Sequence, residues 1–302
     1  MSSVNPIQHL NISVSHLKAI INTESKNELK LKMKALLDSK IHGISFSPYE
    51  GNQNPGELSK ISIEQIQRRL KIIQPYTQWI RTFSCTYGNE NIPKIAHEMG
   101  LKTIVGAWLS DNLDDNEKEI VNIINLGKEG HADIVAVGNE VLFRNELTVE
   151  ELLSYIRRVK EALPNVQVGY VDAYYLFTDF PEVTDVCDVI LTNCYPFWEH
   201  CSLEHAVGYM TAMYESVLSV AKGKKIIISE TGWPSQGSTL GGAIPSNENS
   251  MKYFINTFQW AQEANIDLFY FSSFDEEWKI GHEGDCGAYW GIWDKDGNYK
   301  YD

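Results

Sequence analysis

The sequence predicts a single α/β domain folded as a (β/α)8 TIM barrel, and two observations carry this prediction. Eight short runs rich in β-branched residues recur along the 302 residues, and most are separated by segments with helical periodicity. Such runs, bounded by Gly and Pro, are typical of buried parallel strands. Eight of them alternating with helices in a chain of this length describe a TIM barrel. A doubly wound open sheet is the alternative, but no Gly-x-Gly-x-x-Gly follows the first run.

The predicted strands can be placed from these runs, and the helices from their start signals. The eight strands are predicted at 43–49, 79–85, 102–109, 133–140, 166–174, 188–195, 224–230 and 267–274. Ser62, Asp114 and Thr148 each stand three residues before Gln or Glu, which is the pattern of a capping box at a helix start. Trp108 and Trp260 are interpreted as core or interhelical packing.

The two ends of the chain extend the barrel without indicating a second domain, so we expect one domain over residues 1–302. An N-terminal extension covers residues 1–42, and its amphipathic stretch 28–37 is expected to pack beside the first strand in place of a final helix. Residues 284–302 are predicted to form a C-terminal hairpin that turns at Asp296-Gly297.

Composition restricts the partners that the protein can have. The formal net charge of −14 argues against nucleic acid or an anionic membrane as the main partner, while neutral ligands such as sugars stay compatible. No run approaches the roughly 20 apolar residues of a membrane span. The first residues show no signal peptide, so the chain as written is expected to be cytoplasmic, or secreted or periplasmic if a signal was removed. The sequence gives no prediction of oligomeric state.

Cysteines and histidines do not indicate a metal or cofactor site. The five cysteines form a sparse, unpatterned set that suits a reduced compartment better than a disulfide scaffold. Two of them lie with His200 and His205 in the stretch 194–205, but the spacing matches no common zinc site. We therefore expect neither a metal ion nor a cofactor.

The sequence features that most directly indicate function are two glutamates at the ends of predicted strands. Glu140 closes the fourth run and Glu230 the seventh. In a TIM barrel the carboxyl ends of the strands form the reaction site. Two carboxylates there are the minimum for cleaving a glycosidic bond, one as proton donor and one facing the anomeric carbon. The competing interpretation is that each simply caps a helix or pairs with an arginine.

The predicted rim around these glutamates is rich in aromatic and polar side chains. Sugars present apolar C–H faces edged by hydroxyls, so aromatic platforms with polar neighbours suit them. Asn139 is predicted to bind a substrate hydroxyl, while Tyr195 and Arg81 are predicted to hold the free oxygen of Glu230. The predicted substrate-binding residues of the rim are Tyr49, Arg81, Asn139, Asp172, Tyr174, Tyr195, Trp198, Trp233 and Trp278. Glu277 is expected to face solvent, because strand alternation opposes it to Glu276.

Three ordered motifs resemble glycoside hydrolase family 17, the family of β-1,3-glucanases and related β-1,3-glucan-modifying enzymes. They are Val137-Gly-Asn-Glu-Val141, Ile228-Ser-Glu-Thr-Gly-Trp-Pro-Ser235 and Phe274-Asp-Glu-Glu-Trp-Lys279. The resemblance implies retention of configuration, with Glu140 as acid/base and Glu230 as nucleophile. It also implies that Glu276 and Lys279 act as auxiliary acidic and basic residues near the nucleophile. The short connection after the fifth strand and the stretch 281–291 depart from the plant enzymes and leave endo or exo action open.

The function predicted from these features is a retaining glycosidase that acts on a β-linked glucan, with β-1,3-glucan as the expected substrate. A glucan transglycosylase using the same two glutamates is the first alternative. The second, from another class, is a carbohydrate-binding barrel without catalytic activity, since a fold alone never establishes activity.

Overall fold

Eight parallel strands form the centre of the structure. The computed structural model describes residues 9, 10, 12, 16–57 and 59–302. The strands are β1 (Ile41–Ser45), β2 (Thr77–Arg81), β3 (Lys102–Ala107), β4 (Ile134–Asn139), β5 (Gln167–Ala173), β6 (Val189–Asn193), β7 (Lys225–Thr231) and β8 (Asp267–Tyr270). Each pairs with the next, and β8 pairs with β1 to close the barrel. The predicted TIM barrel is confirmed.

Helices surround the barrel. Those in the described residues are α1 (Lys26–Asp38), α2 (Ile63–Ile73), α3 (Ile92–Glu98), α4 (Leu113–Lys128), α5 (Val149–Ala162), α6 (Leu176–Asp179), α7 (Pro181–Val186), α8 (Leu203–Val220), α9 (Asn247–Ala264) and α10 (Ile280–Glu283). None of the helices in residues 16–57 and 59–302 combines the length and hydrophobicity needed to span a bilayer. All five cysteines lie in this part of the chain and are buried free thiols.

Every predicted strand overlaps an observed one, but most predicted runs extend beyond the carboxyl end of the strand. Phe46, Cys85 and Leu109 belong to such overruns and are fully buried in the loops that follow β1, β2 and β3. Apolar residues are buried there by loop packing and not by the strand ladder. Periodicity cannot separate these two kinds of burial.

Two of the three predicted helix starts agree with the structure. Thr148 forms a complete capping box with Glu151, and the Ser62 side chain accepts a hydrogen bond from the Gln65 amide. The start predicted at Asp114 is wrong, because Asn112 caps α4 by accepting from the backbone amide of Asp115. Asparagine is as good an N-cap as aspartate, and acidic residues also favour the first turn behind a cap.

Side chains from the strands fill the barrel, so the reaction site lies at its mouth and not in a pore. The buried interior side chains are Ile104, Ile134, Ala136, Val171, Val189, Leu191, Ile227 and Phe269. Gly43 on β1 lies beside Phe269 on β8, and a Cβ at this glycine would stand 2.5 Å from the phenylalanine ring. The aromatic ring therefore requires glycine at this position.

The ends of the chain complete the outer layer. The helix α1 packs against α9 through the buried side chains Leu29, Met33 and Leu37. The hairpin predicted over 284–302 is present over 292–300, with its turn at Asp296-Gly297 as predicted, and is wrong for 284–291. Its antiparallel pairing consists of a bridge between Trp293 and Tyr299 and two flanking backbone hydrogen bonds, of which the bond from the Asp294 amide to the Asn298 carbonyl measures 2.8 Å. The preceding backbone instead bonds to the loop after β8, where the Ser272 amide donates to the Trp290 carbonyl over 3.1 Å. Burial of Trp290 against this loop explains the difference.

Candidate active site

A backbone irregularity at the end of β4 positions the first predicted glutamate. The register between β4 and β5 shifts between Ala136 and Asn139, and Glu140 has a φ of 52°. Its amide donates to the Val171 carbonyl over 2.8 Å. Bulges of this kind re-aim side chains near functional sites. Here the Asn139 and Glu140 side chains both reach partners at the barrel mouth.

The second predicted glutamate lies near the end of β7 and is held at both carboxylate oxygens. Arg81 from β2 donates to Oε1 of Glu230, and the Tyr195 hydroxyl donates to Oε2 over 2.6 Å. Only 5% of Glu230 is exposed. A guanidinium and a hydroxyl on one carboxylate form strong, charge-assisted hydrogen bonds. They fix the orientation of Glu230.

Burial and the neighbouring Glu230 carboxylate raise the pKa of Glu140 to about 8. A hydrogen bond of 2.8 Å from Nδ2 of Asn193 to Oε1 of Glu140 acts in the opposite direction. Glu140 therefore keeps its proton at neutral pH. A protonated carboxyl group beside an ion-paired carboxylate is the arrangement that glycosidic bond cleavage uses.

Arg81 and Asn193 connect the two glutamates to the surrounding strands. The buried guanidinium of Arg81 binds both Glu230 and Oδ1 of Asn139. Asn193 on β6 donates to Glu140 and accepts a 2.9 Å hydrogen bond from the Ser229 hydroxyl. The sequence did not single out Asn193. The one sequence feature that could have indicated it is its position near the end of a predicted strand, shortly before the aromatic residues of the rim.

Glu276 and Lys279 form an ion pair after β8. Lys279 Nζ lies 2.7 Å from Oε2 of Glu276 and 4.1 Å from the centre of the Phe271 ring. The Ser47 hydroxyl and the Trp278 indole N–H both donate to Oε1 of Glu276. Burial would lower the pKa of Lys279, but the neighbouring carboxylates, Glu276 first, outweigh it and raise that pKa. The ammonium is therefore a fixed positive charge near Glu230.

Two further residues near this pair were not predicted from the sequence. Trp290 is buried and packs against Tyr195 at 5.6 Å and Trp198 at 5.4 Å between ring centres, so it supports the tyrosine that binds Glu230. Burial and the neighbouring carboxylates of Glu276 and Glu230 raise the pKa of Glu283 to about 7, against the effect of Lys279. Both lie in the stretch 281–291, which has no motif to reveal them.

Tyr49, Trp198 and Trp278 lie at the rim, as their positions after strands predict. The Tyr49 hydroxyl accepts from Asn89 over 3.2 Å, and its pKa is raised by burial and by Glu276 nearby. Trp198 is 37% exposed, and Trp278 is partly exposed beside Glu276. Substrate binding by these residues stays a prediction.

Three further predicted substrate-binding residues are buried in the structure, and substrate binding by them stays a prediction. Asp172 is fully buried and accepts from Tyr170 and from the Ala173 amide, and burial raises its pKa to about 6. Tyr174 is buried and donates to Glu199 over 2.8 Å. Trp233 is also fully buried and donates to the Ile244 carbonyl over 3.0 Å. Neighbouring protein groups satisfy these polar atoms.

The other side-chain orientations gave mixed results. Glu277 is exposed and pairs with Lys295 over 2.8 Å, which confirms its predicted direction. Trp260 packs against Tyr214 between α8 and α9, as expected. The packing role predicted for Trp108 is wrong, because 39% of its surface is exposed. In the described residues, no three His, Cys, Asp or Glu side chains are placed to hold a metal ion together.

Comparison with known proteins identifies the family. The family model of the BtgE/BtgC glycoside hydrolase domain matches residues 43–291. The chain belongs to this family. As a BtgE/BtgC glycoside hydrolase, it is 27% identical over 260 residues to the glucan 1,3-beta-glucosidase BGL2 of Candida albicans, covering 77% of this chain and 83% of that protein. The glucan 1,3-beta-glucosidase of Saccharomyces cerevisiae is 23% identical over 265 residues, or 80% of this chain and 85% of that protein.

The barrel is also similar to solved structures of glycoside hydrolase family 17. The glycoside hydrolase family 17 beta-1,3-glucanosyltransferase of Rhizomucor miehei is 28% identical with a TM-score of 0.77, covering 87% of this chain and 96% of that one. An endo-laminarinase from Formosa has a TM-score of 0.74 at 22% identity, covering 87% of this chain and 86% of that one, and supports the fold. The resemblance to family 17 that the motifs indicated is confirmed.

Proposed function

We propose that this protein is a retaining β-1,3-glucan hydrolase in which Glu140 is the acid/base and Glu230 the nucleophile. One observation carries the proposal, namely the contrast between the two glutamates. Glu140 has a pKa raised to about 8, while Glu230 forms an ion pair with Arg81 and accepts from Tyr195. A proton donor and an oriented carboxylate at the carboxyl ends of β4 and β7 are the two groups that double displacement requires.

The first step follows from these positions. A carboxylate oxygen of Glu230 bonds to the anomeric carbon while the carbon–oxygen bond to the leaving sugar breaks. Glu140 gives its proton to the leaving oxygen, so the departing chain leaves as a neutral alcohol. The product is a glycosyl ester on Glu230.

The second step uses the same groups in reversed roles. Once Glu230 is a neutral ester, its charge no longer raises the pKa of Glu140, which then serves as a base. Glu140 takes a proton from water, the water oxygen bonds to the anomeric carbon, and Glu230 is released as a carboxylate. Two displacements restore the original configuration.

A neutral β-1,3-glucan suits the chemistry of the mouth and the known relatives. The partly exposed aromatics Trp198 and Trp278 offer apolar faces, and Glu276 lies beside Trp278 with hydrogen-bonding atoms. A net charge of −14 does not oppose an uncharged polymer. The relatives carry names of glucan 1,3-beta-glucosidases and of a beta-1,3-glucanosyltransferase, which supports the same substrate class here.

Glucan transfer is the second candidate function, and one comparison favours it. The Rhizomucor enzyme, whose name is that of a transferase, is 28% identical over 87% of this chain. Transfer and hydrolysis share the glycosyl ester. They differ only in the acceptor of the glycosyl group, which is a sugar hydroxyl in transfer and water in hydrolysis. A binding barrel without activity is less consistent with the ion-paired Glu230 and the protonated Glu140, because binding alone does not need this pair.

Incubation of the purified protein with laminarin, followed by sizing of the products, tests the proposal. Shorter sugars alone indicate hydrolysis, and their size pattern separates endo from exo cleavage. Products longer than the donor indicate transfer. Laminarin that stays unchanged, together with inert mixed-linkage and cellulose-type glucans, would contradict the proposed substrate and leave a binding role.

We also propose that the protein acts outside the cytoplasm. A polymeric glucan is accessible there, and one relative is a cell surface mannoprotein of Candida albicans, 24% identical over 83% of this chain. The cytoplasmic location expected from the sequence has no support among the relatives. Fractionation of the native source, with detection by antibody, tests the location.

A further inference from the structure

Trp108 is an exposed tryptophan at the mouth of the barrel. It follows Ala107, the last residue of β3, and 39% of its surface is exposed. Tryptophan is highly buried on average, so an exposed indole at the barrel mouth offers an apolar face that a ligand can cover. The neighbouring strand β4 carries Asn139 and leads directly to Glu140.

A fixed guanidinium supports one side of the Trp108 ring. The guanidinium carbon of Arg144 lies 4.4 Å from the ring centre. The same guanidinium donates to the carbonyl oxygens of Asn139 and Leu109, the latter over 2.9 Å, and pairs with Glu146 over 2.7 Å. Three partners on three different residues leave Arg144 little freedom to move. Trp108 therefore rests on a rigid base.

The backbone of Trp108 is fixed as well. Its amide donates over 3.2 Å to Oε2 of Glu119, a buried residue of α4. The Glu119 carboxylate also accepts from the Cys85 amide over 2.9 Å and from the Thr86 hydroxyl over 2.6 Å. One carboxylate thus ties the loops after β2 and β3 together. The position of the indole is set before any ligand arrives.

These contacts leave a flat, preformed apolar surface. A sugar ring can place its C–H face on such an indole, and a rigid platform loses little conformational entropy on binding. The positive charge behind the ring is paired with Glu146, so the surface attracts no particular charge. These properties suit a neutral glucose unit.

We propose that Trp108 is a binding platform for a glucose unit of the glucan other than the two that flank the cleaved bond. We further infer that Arg144 is a positioning residue that links this platform to the backbone before Glu140. The link is direct, because the guanidinium that supports the indole also binds the carbonyl oxygen of Asn139, the residue before Glu140. Both inferences rest on the proposed function.

Replacing Trp108 tests the platform. For W108A we expect KM on laminarin and on longer laminari-oligosaccharides to rise roughly 10-fold. The value of kcat/KM on the shortest cleaved oligosaccharide should change less than about twofold, since it does not reach the platform. W108F should restore most of the affinity. L218A, at an exposed apolar position on α8, is the control and should match the wild type.

Binding to an inactive chain separates this inference from the proposed function. Calorimetry with E230Q and a laminari-oligosaccharide series should show affinity that increases with chain length, and the increase should be lost in W108A/E230Q. If E230Q binds the series but the tryptophan variant binds equally well at every length, the platform is refuted and the proposed function stands. If E230Q binds no laminari-oligosaccharide, both are refuted.

Arg144 is tested through a pH profile. The activity, measured as kcat/KM, is expected to fall at the alkaline pH where Glu140 loses its proton. Arg144 lowers the pKa of Glu140, so R144M should move this alkaline limb of the pH profile to higher pH. R144M should also raise KM on long substrates. A role confined to folding would change the thermal midpoint and leave the limb in place. An unchanged limb in a folded R144M protein overturns the positioning role.

Discussion

The Tyr195 hydroxyl donates a 2.6 Å hydrogen bond to Oε2 of Glu230. Because Arg81 occupies the other oxygen of the same carboxylate, Glu230 is oriented from two sides. Tyr195 comes from the end of β6 and Arg81 from β2, so the orientation depends on closure of the barrel. Strands that are distant in sequence together form the proposed nucleophile site.

Removing the nucleophile should abolish turnover. E230Q keeps the size of the side chain but cannot form a glycosyl ester, so we expect kcat on laminarin to fall by at least roughly 1,000-fold. Product release measured by reducing sugars checks this. The control is E277Q, at an exposed glutamate of the loop after β8, which should keep wild-type activity. Substantial turnover by E230Q would contradict the assignment.

Removing only the tyrosine hydroxyl should have a smaller effect. A hydrogen bond to a charged group is worth about 1.5–3 kcal/mol, so Y195F should lose roughly 10- to 100-fold in kcat if the bond is needed in the transition state. Y214F, on the outer helix α8, is the matched control. Equal kcat values for Y195F and the wild type would show that Arg81 alone orients Glu230.

The acid/base role of Glu140 predicts a dependence on the leaving group. E140Q cannot protonate the departing oxygen, so turnover of laminarin should fall strongly, while an aryl β-glucoside with an acidic phenol should be affected far less in its first step. A pre-steady-state burst of the phenol would show that the glycosyl ester forms and persists. The same loss on both substrates would argue against Glu140 as the proton donor.

The pKa of Glu140 predicts the pH dependence of both rate and stability. The alkaline limb of kcat/KM should lie near pH 8, where Glu140 loses its proton. The folded protein holds this proton up to about pH 8, while the unfolded chain releases it near pH 4.5. Wild-type stability should therefore decrease relative to E140Q as the pH rises between these values. Thermal unfolding of both proteins at several pH values measures this, and a parallel pH trend would contradict it.

Asn193 should influence the pH at which kcat/KM falls on the alkaline side. Its hydrogen bond to Glu140 lowers the pKa of the carboxyl group, so N193A should move the alkaline limb to higher pH and reduce kcat. The kcat/KM profile of N193A against the wild type measures the shift. A limb that moves to lower pH would contradict the proposed contact.

Much of the fold and the two central glutamates could be predicted from sequence because both depend on local patterns. The β-branched runs place the eight strands, and the motifs around Glu140 and Glu230 lie directly at strand ends. The exact strand ends were not predictable, since Phe46 and Cys85 are buried by loops and look like strand residues. The start of α4 was missed because two neighbouring residues, Asn112 and Asp114, both suit a cap.

Side-chain direction at the rim was the least predictable property. Asp172 and Trp233 lie near strand ends, as Trp198 does, yet both are completely buried while Trp198 is 37% exposed. Trp108 was misinterpreted in the opposite direction, because its ring packs on Arg144, which lies 36 positions later in the chain, and not in the core. Contacts of this kind arise from the closed barrel and have no signature in a local stretch of sequence.

Trapping the glycosyl-enzyme tests the central claim most directly. The protein would be inactivated with a 2-deoxy-2-fluoro laminaribioside that carries an activated leaving group, digested, and mapped by mass spectrometry. The fluorine slows the second displacement, so a retaining enzyme accumulates the ester. We predict one modified peptide, with the disaccharide on Glu230. Modification of another carboxylate, or unmodified protein after the leaving group has been released, would contradict the proposed mechanism.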